Sequence, residues 1–249
     1  MARSSGNVDL PNGLQVIHAL RRDDIRDRVM RFAGGPLSEG VRGGRSQSYD
    51  HCYNYFIDHH DRLTDDVEKS CAVLGHYLAS WGMYRGSSYL FKHTNSAHFV
   101  PLIEYVRDSA VELRSIDLPE YESKIDRISS AYKEVGELAL GGTTSVRVTL
   151  ATKIMIAAFG CVPAFDTYFR MGMQRIQQDL PRRQRVAFDQ LDEPRLRRLS
   201  EFYRANQADI DQLHQESRTV RFPDGAPTVH RLTRAKIIDM YVFDLGMNP

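Results

Sequence analysis

The chain has 249 residues, of which 42% are hydrophobic and 26% charged, and its formal net charge is +1. This is enough for one large domain or two small ones around an ordinary core, and it excludes wholesale disorder and a uniformly basic coat for nucleic acid. Six of the 33 cationic side chains are lysine and the rest arginine, which suits forked contacts with phosphate or carboxylate but also follows from genome composition alone.

Residues 1–13, with Ser, Gly, Asn and Pro, read as a loose arm. Residues 14–32 carry apolar positions among Arg and Asp at helical spacing, and the glycine-rich stretch 34–44 breaks the pattern. Tyr49, Cys52, Tyr53, Phe56 and Ile57 then recur as the stripe of an amphipathic helix. A second helix is predicted over 67–83, with its start signalled by Thr64 and acids in the first turn. Pro101 opens a helix to residue 113, and Pro119 another to 140. Gly141, Gly142, Thr143, Thr144 and Ser145 form a turn and an N-cap cluster. The run 146–165 is the most apolar of the chain. Arg147, Thr149, Thr152, Lys153 and Pro163 interrupt it, so it predicts a buried helix and not a membrane span. An Arg-rich segment over 182–198, a polar surface helix over 201–216, a small β-hairpin over 218–232 and an amphipathic helix over 233–245 complete the chain. The expected fold is mostly α with at most one short β-hairpin near 218–232. Residues 14–249 form one helical domain, or two helical lobes with a cleft between them.

Four groups of residues carry candidate chemistry. Residues 159–171 read Phe-Gly-Cys-Val-Pro-Ala-Phe-Asp-Thr-Tyr-Phe-Arg-Met. An apolar helix ends at Gly160, a Pro turn follows, and Asp166 begins the next helix with Tyr168 and Arg170 behind it. A carboxylate on an apolar wall is costly unless hydrogen-bonded or used, so Asp166 is either a helix cap or a working group. Lys153, inside the apolar helix, is either a desolvated nucleophile or a lysine that snorkels or pairs with an acid. The second group is Trp81, Gly82, Tyr84, Arg85 and Gly86. Its aromatics stack on a base and its arginine meets a phosphate, or the segment is a close-packed helix crossing. His59 and His60 with Asp58 lack metal-ligand spacing, and no metal or cofactor is expected. Acids interleave the Arg-rich segment at Asp189, Asp192, Glu193 and Glu201, which makes a salt-bridged face its default reading. Cys52, Cys71 and Cys161 form no C-x-x-C pair, and the N-terminus has no apolar signal core. The expectation is therefore a reducing cytoplasm and buried thiols.

The order of glycine turn, apolar helix, Pro turn and Asp-Thr-x-x-Arg over 141–171 resembles the catalytic segment of the helix-hairpin-helix DNA glycosylases. The resemblance implies a compact multi-helix fold and a duplex DNA partner carrying a modified or damaged base. The protein would flip that base and hydrolyse its N-glycosidic bond, in repair or in defence against foreign DNA; the sequence leaves the oligomeric state open, with a monomer favoured. Asp166 would be the catalytic carboxylate. Trp81, Tyr84, Arg85 and Tyr168 would contact the base, and Gly141, Gly142, Thr143, Thr144, Ser145 and Arg170 the DNA backbone. The sequence departs from that pattern in its Leu140-Gly-Gly hairpin and in Tyr168 where histidine is common. The place of the lyase lysine falls near Val148, which favours direct hydrolysis over Schiff-base chemistry with Lys153. The reading from a different class is a non-catalytic helical interaction module whose Trp81–Arg85 stretch packs against a partner.

Overall fold

The computed structural model describes residues 12–39, 46–141 and 147–249. Gly142, Thr143, Thr144, Ser145 and all but the end of the predicted 1–13 arm lie outside the described residues. The fold is mostly α. The α-helices are α1 Asn12–Ala19, α2 Ile25–Ala33, α3 Gln47–Asp58, α4 Val67–Ser80, α5 Tyr89–His93, α6 Val100–Arg114, α7 Tyr121–Leu140, α8 Arg147–Ala158, α9 Thr167–Ile176, α10 Glu193–Ala205, α11 Gln207–Glu216 and α12 Arg234–Met247. One continuous cluster of buried side chains draws on every one of them. None of the described helices is long and apolar enough to cross a membrane.

Helix α8 is central because it is apolar on nearly every face. All residues from 150 to 165 are buried, and α8 packs against α7, α3 and α4. Its two polar interior groups are engaged. The Thr152 hydroxyl donates to the Val148 carbonyl (2.5 Å) and accepts from the Phe165 N–H (2.9 Å), and Lys153 is ion-paired. Most of the α3 stripe is buried as its spacing predicts, with Tyr49, Cys52, Tyr53 and Phe56 in the core. Helix α4 starts at Val67 as predicted and ends at Ser80, short of the predicted 83. Its cap is Asp66, whose carboxylate accepts the Lys69 N–H.

Four sequence expectations are corrected. The helical spacing over 14–32 is two helices, and the polar stretch 201–216 spans the end of α10 and α11. Both breaks have one cause. Buried Asn206 accepts the Arg22 N–H (2.7 Å) and donates to the carbonyls of Leu20 (3.1 Å) and Phe202 (2.8 Å), so one side chain satisfies the backbone of two helix ends. The predicted hairpin over 218–232 is an arch with a single antiparallel bridge, Val220 to Pro227. Pro227 has no N–H to extend a ladder. Finally, α12 is not amphipathic in place: every residue from 235 to 244 is buried. Its charged residues do not face water, because Lys236 pairs with Asp239 (2.7 Å) and Asp244 takes Arg28 and Arg31 (3.2 Å each).

Helices α9 and α12 share the most extensive contact of the fold. They approach so closely that a Cβ on Gly172 would strike the Val242 carbonyl, and one on Gly246 the Tyr168 carbonyl. Arg175 ties the far end by donating to the carbonyls of Leu245 and Gly246.

Candidate active site

The segment that leads into Asp166 is fixed atom by atom. Gly160 ends α8 in the left-handed region (φ 72°), where a Cβ would meet the Thr233 methyl and the Tyr53 ring, so only glycine fits. The Thr233 hydroxyl donates to the Gly160 carbonyl (2.7 Å), and the Tyr121 hydroxyl donates to that of Cys161 (2.6 Å). The Ala164 N–H donates to Asp239 Oδ1 (3.0 Å). A turn whose polar groups are met in this way from α7, α8 and α12 presents the next residue in one orientation.

That residue is Asp166, and each of its carboxylate oxygens has a partner. Oδ1 caps α9 by accepting the Phe169 N–H (3.0 Å). Oδ2 accepts from Lys153 Nζ at 3.0 Å. The Lys153 side chain is 3% exposed and that of Asp166 14%. Lys153 therefore does not snorkel to the surface. Its ammonium also lies 4.6 Å from the centroid of the Trp81 ring, within cation–π range.

The pair lines a cleft of about 440 Å³. Trp81 and Tyr168 form aromatic walls, and both rings meet Phe243 edge-on, at 6.0 and 5.1 Å between centroids. Arg85 and Arg170 also line it, and neither makes a side-chain hydrogen bond or ion pair with any described residue. Of the four residues expected to contact the base, Trp81, Arg85 and Tyr168 line the cleft and Tyr84 turns away. It is absent from the cleft lining, and its hydroxyl lies beside Gly75 of α4. Gly141 ends α7 with φ 56°, next to Leu140 at the cleft edge, and Tyr89 from α5 faces it.

Sequence reasoning missed Phe243, Met83, Leu90 and Thr149 in the lining. Phe243 comes from α12, whose burial the pattern hid. Thr149 carries a signal in retrospect: it is a hydroxyl one turn before Lys153 on an apolar helix, and it donates to the Phe165 carbonyl (3.1 Å).

A larger groove of about 930 Å³ lies between α3, α4 and the 218–232 arch. Much of its chemistry is already engaged: Asn54 with Val220 and Thr219, His230 with Asp58, and Arg221 with Asp224. The smaller cleft gathers a carboxylate, an ammonium and two guanidinium groups with no ion-pair partner among the described residues, and is the better candidate for catalysis. Three of the six arginines over 182–198 are held in intramolecular pairs, Arg195 with Asp189 and Asp192, Arg197 with Glu193, and Arg198 with Glu201. Among the described residues no group of three or more His, Cys, Asp or Glu side chains is placed to hold a metal ion. Cys52, Cys71 and Cys161 are free and buried, and burial pushes the Cys161 thiol up to about 12. The chain matches no protein-family model, no curated protein and no solved structure.

Proposed function

We propose that the protein is a DNA glycosylase-like hydrolase that draws a modified or damaged base into the 440 Å³ cleft and cleaves its N-glycosidic bond. The observation that carries this reading is the Lys153–Asp166 pair in a cleft that is also lined by aromatic faces and by Arg85 and Arg170. A substrate for such a cleft is flat and aromatic at one end and anionic at the other, as a nucleotide unit is. Trp81 and Tyr168 take the base, and Arg85 and Arg170 take flanking phosphates. The resemblance of the 141–171 segment points to the same chemistry.

As the C1′–N bond breaks, its electron pair leaves with the base and positive charge builds on the sugar. Asp166 opposes that charge. Water then adds at C1′, and the proton it gives up is taken up by the departing base, which leaves an abasic site and a free base. Lys153 holds Oδ2 in place in this scheme and forms no bond to the sugar. Base repair and defence against modified foreign DNA both suit the reaction.

The test is incubation with duplexes that carry a panel of modified and damaged bases, read as free base released and abasic sites formed. Release from at least one duplex, lost in Asp166→Asn, supports the proposal. No release from any duplex, together with no DNA binding at low ionic strength, overturns it in favour of a helical interaction module.

A further inference from the structure

A second buried ion pair stands behind the cleft. Lys236 and Asp239 of α12 have side chains 4% and 9% exposed, with Nζ 2.7 Å from Oδ2, and neither lines the cleft. Isolating such a pair from water costs free energy that apolar side chains of similar volume would not, so a contribution to stability is a weak reason for its presence. Its contacts run to the two working parts of the site. Lys236 Nζ lies 4.4 Å from the centroid of the Tyr49 ring and 5.6 Å from that of Trp81, the indole that Lys153 approaches from α8. The other oxygen of Asp239 accepts the Ala164 N–H, two residues before Asp166, and the Ala164 carbonyl in turn accepts the Asp166 N–H (2.8 Å).

We infer that Lys236 and Asp239 are positioning residues that fix the Trp81 wall and the turn carrying Asp166 in one shared geometry. Lys236 acts through the indole and Asp239 through the backbone of Ala164. An ammonium beside an aromatic face favours one placement of the ring, and its buried partner keeps that ammonium from moving. The role is second-hand, since neither group reaches a ligand in the cleft. The inference rests on the cleft being the working site and not on the bond it cleaves.

Trp81 is the only tryptophan in the chain, so its fluorescence reports this geometry without interference. The test compares wild type, Lys236→Arg, Asp239→Asn and the double variant Lys236→Met/Asp239→Asn. The double variant leaves no unpaired buried charge and keeps an acceptor for Ala164. Each protein is read by acrylamide quenching, steady-state anisotropy and a melting curve. In the folded double variant the indole becomes more accessible and mobile, with quenching roughly twofold faster and lower anisotropy, and Lys236→Arg restores both. Asp239→Ala in the Lys236→Met background additionally speeds amide exchange over 164–166 by on the order of tenfold, because the Ala164 N–H loses its acceptor. Quenching, anisotropy and exchange that stay at wild-type values in folded variants overturn the inference and leave the pair a packing feature. These readouts need no substrate, so they decide the matter even if no base is ever released. Where release is found, the double variant lowers kcat more than it raises KM.

Discussion

One carboxylate oxygen of Asp50 accepts the N–H of Val220 at 2.8 Å, while the other has no hydrogen-bond partner among the described residues. Asp50 is completely buried in α3, and this contact helps tie the 218–232 arch to the helix. Burial pushes its carboxyl up to about 7, against the pull of the Val220 amide and of Lys236. An unfolded Asp titrates near 4, so between about pH 4 and about 7 the folded chain holds a proton that the unfolded chain has lost. The contribution of Asp50 to stability therefore falls as pH rises through that window. Asp50→Asn removes this slope and gains on the order of 2 to 4 kcal/mol at pH 8 relative to wild type. Urea denaturation at pH 5 and pH 8 checks it, and an unchanged pH dependence in the variant counts against the assignment.

For the Lys153–Asp166 pair the decisive measurement is a double-mutant cycle. Removing either partner alone strands a buried charge, which costs about 3 kcal/mol or more. Lys153→Met/Asp166→Asn removes both charges, and the Asn still caps α9 by accepting the Phe169 N–H. The double variant should therefore be more stable than Asp166→Asn alone. Additive losses would show that the two groups do not interact.

On activity, Asp166→Asn lowers base release by on the order of a hundredfold or more, because it removes the charge that opposes the sugar cation. Lys153→Met, which frees Asp166 Oδ2, lowers release without abolishing it if water attacks directly, and borohydride traps no protein–DNA adduct with the wild type. An adduct that vanishes in Lys153→Met would replace the direct mechanism with a covalent one.

Duplex binding should weaken steeply with salt, and Arg85→Ala and Arg170→Ala should each reduce the slope of log K against log salt by about 1. Slopes identical to wild type would remove both arginines from the backbone contact. The near-neutral chain and the partly paired Arg-rich segment make these two side chains the first to examine.

Gly172→Ala and Gly246→Ala each place a methyl group against the carbonyl of the partner helix. Each should cost about 3 kcal/mol or more, seen as a lowered melting temperature, since backbone cannot yield as a side chain does. Gly86→Ala, where an added Cβ meets nothing within 4 Å, is the control and should melt as wild type does.

What was legible in the sequence was local. The apolar run of α8, the Pro turn and the Asp166 cap follow from neighbours in the chain, as does the segment that brings Trp81 and Arg85 to the cleft. Most of the failures involve distant partners. Lys236, Asp239 and Asp244 look like the wet face of a helix until Arg28, Arg31 and the Ala164 amide are known to meet them. Asn206 breaks α10 from α11 because Arg22 and Leu20 need its amide, and nothing near 206 announces that. Tyr84 shares its segment with Trp81 and Arg85 but packs beside Gly75, because the left-handed turn at Gly82 (φ 73°) sets the direction of each side chain after it.

The glycine crossing of α9 and α12 also divides labour between the two sides of the cleft. With carbonyls occupying the space where Cβ atoms would sit, α9 has no travel along α12, and Asp166, Tyr168 and Arg170 move only if the whole crossing moves. Across from it, the segment from Gly82 to Ser88 holds exposed Arg85 and an unobstructed Gly86. The α9 side is held by packing, and the 82–88 side is the more exposed one. Substitutions between 82 and 88 should retune which molecules are admitted while the chemistry stays put, so that is the stretch to randomise in any search for altered selectivity.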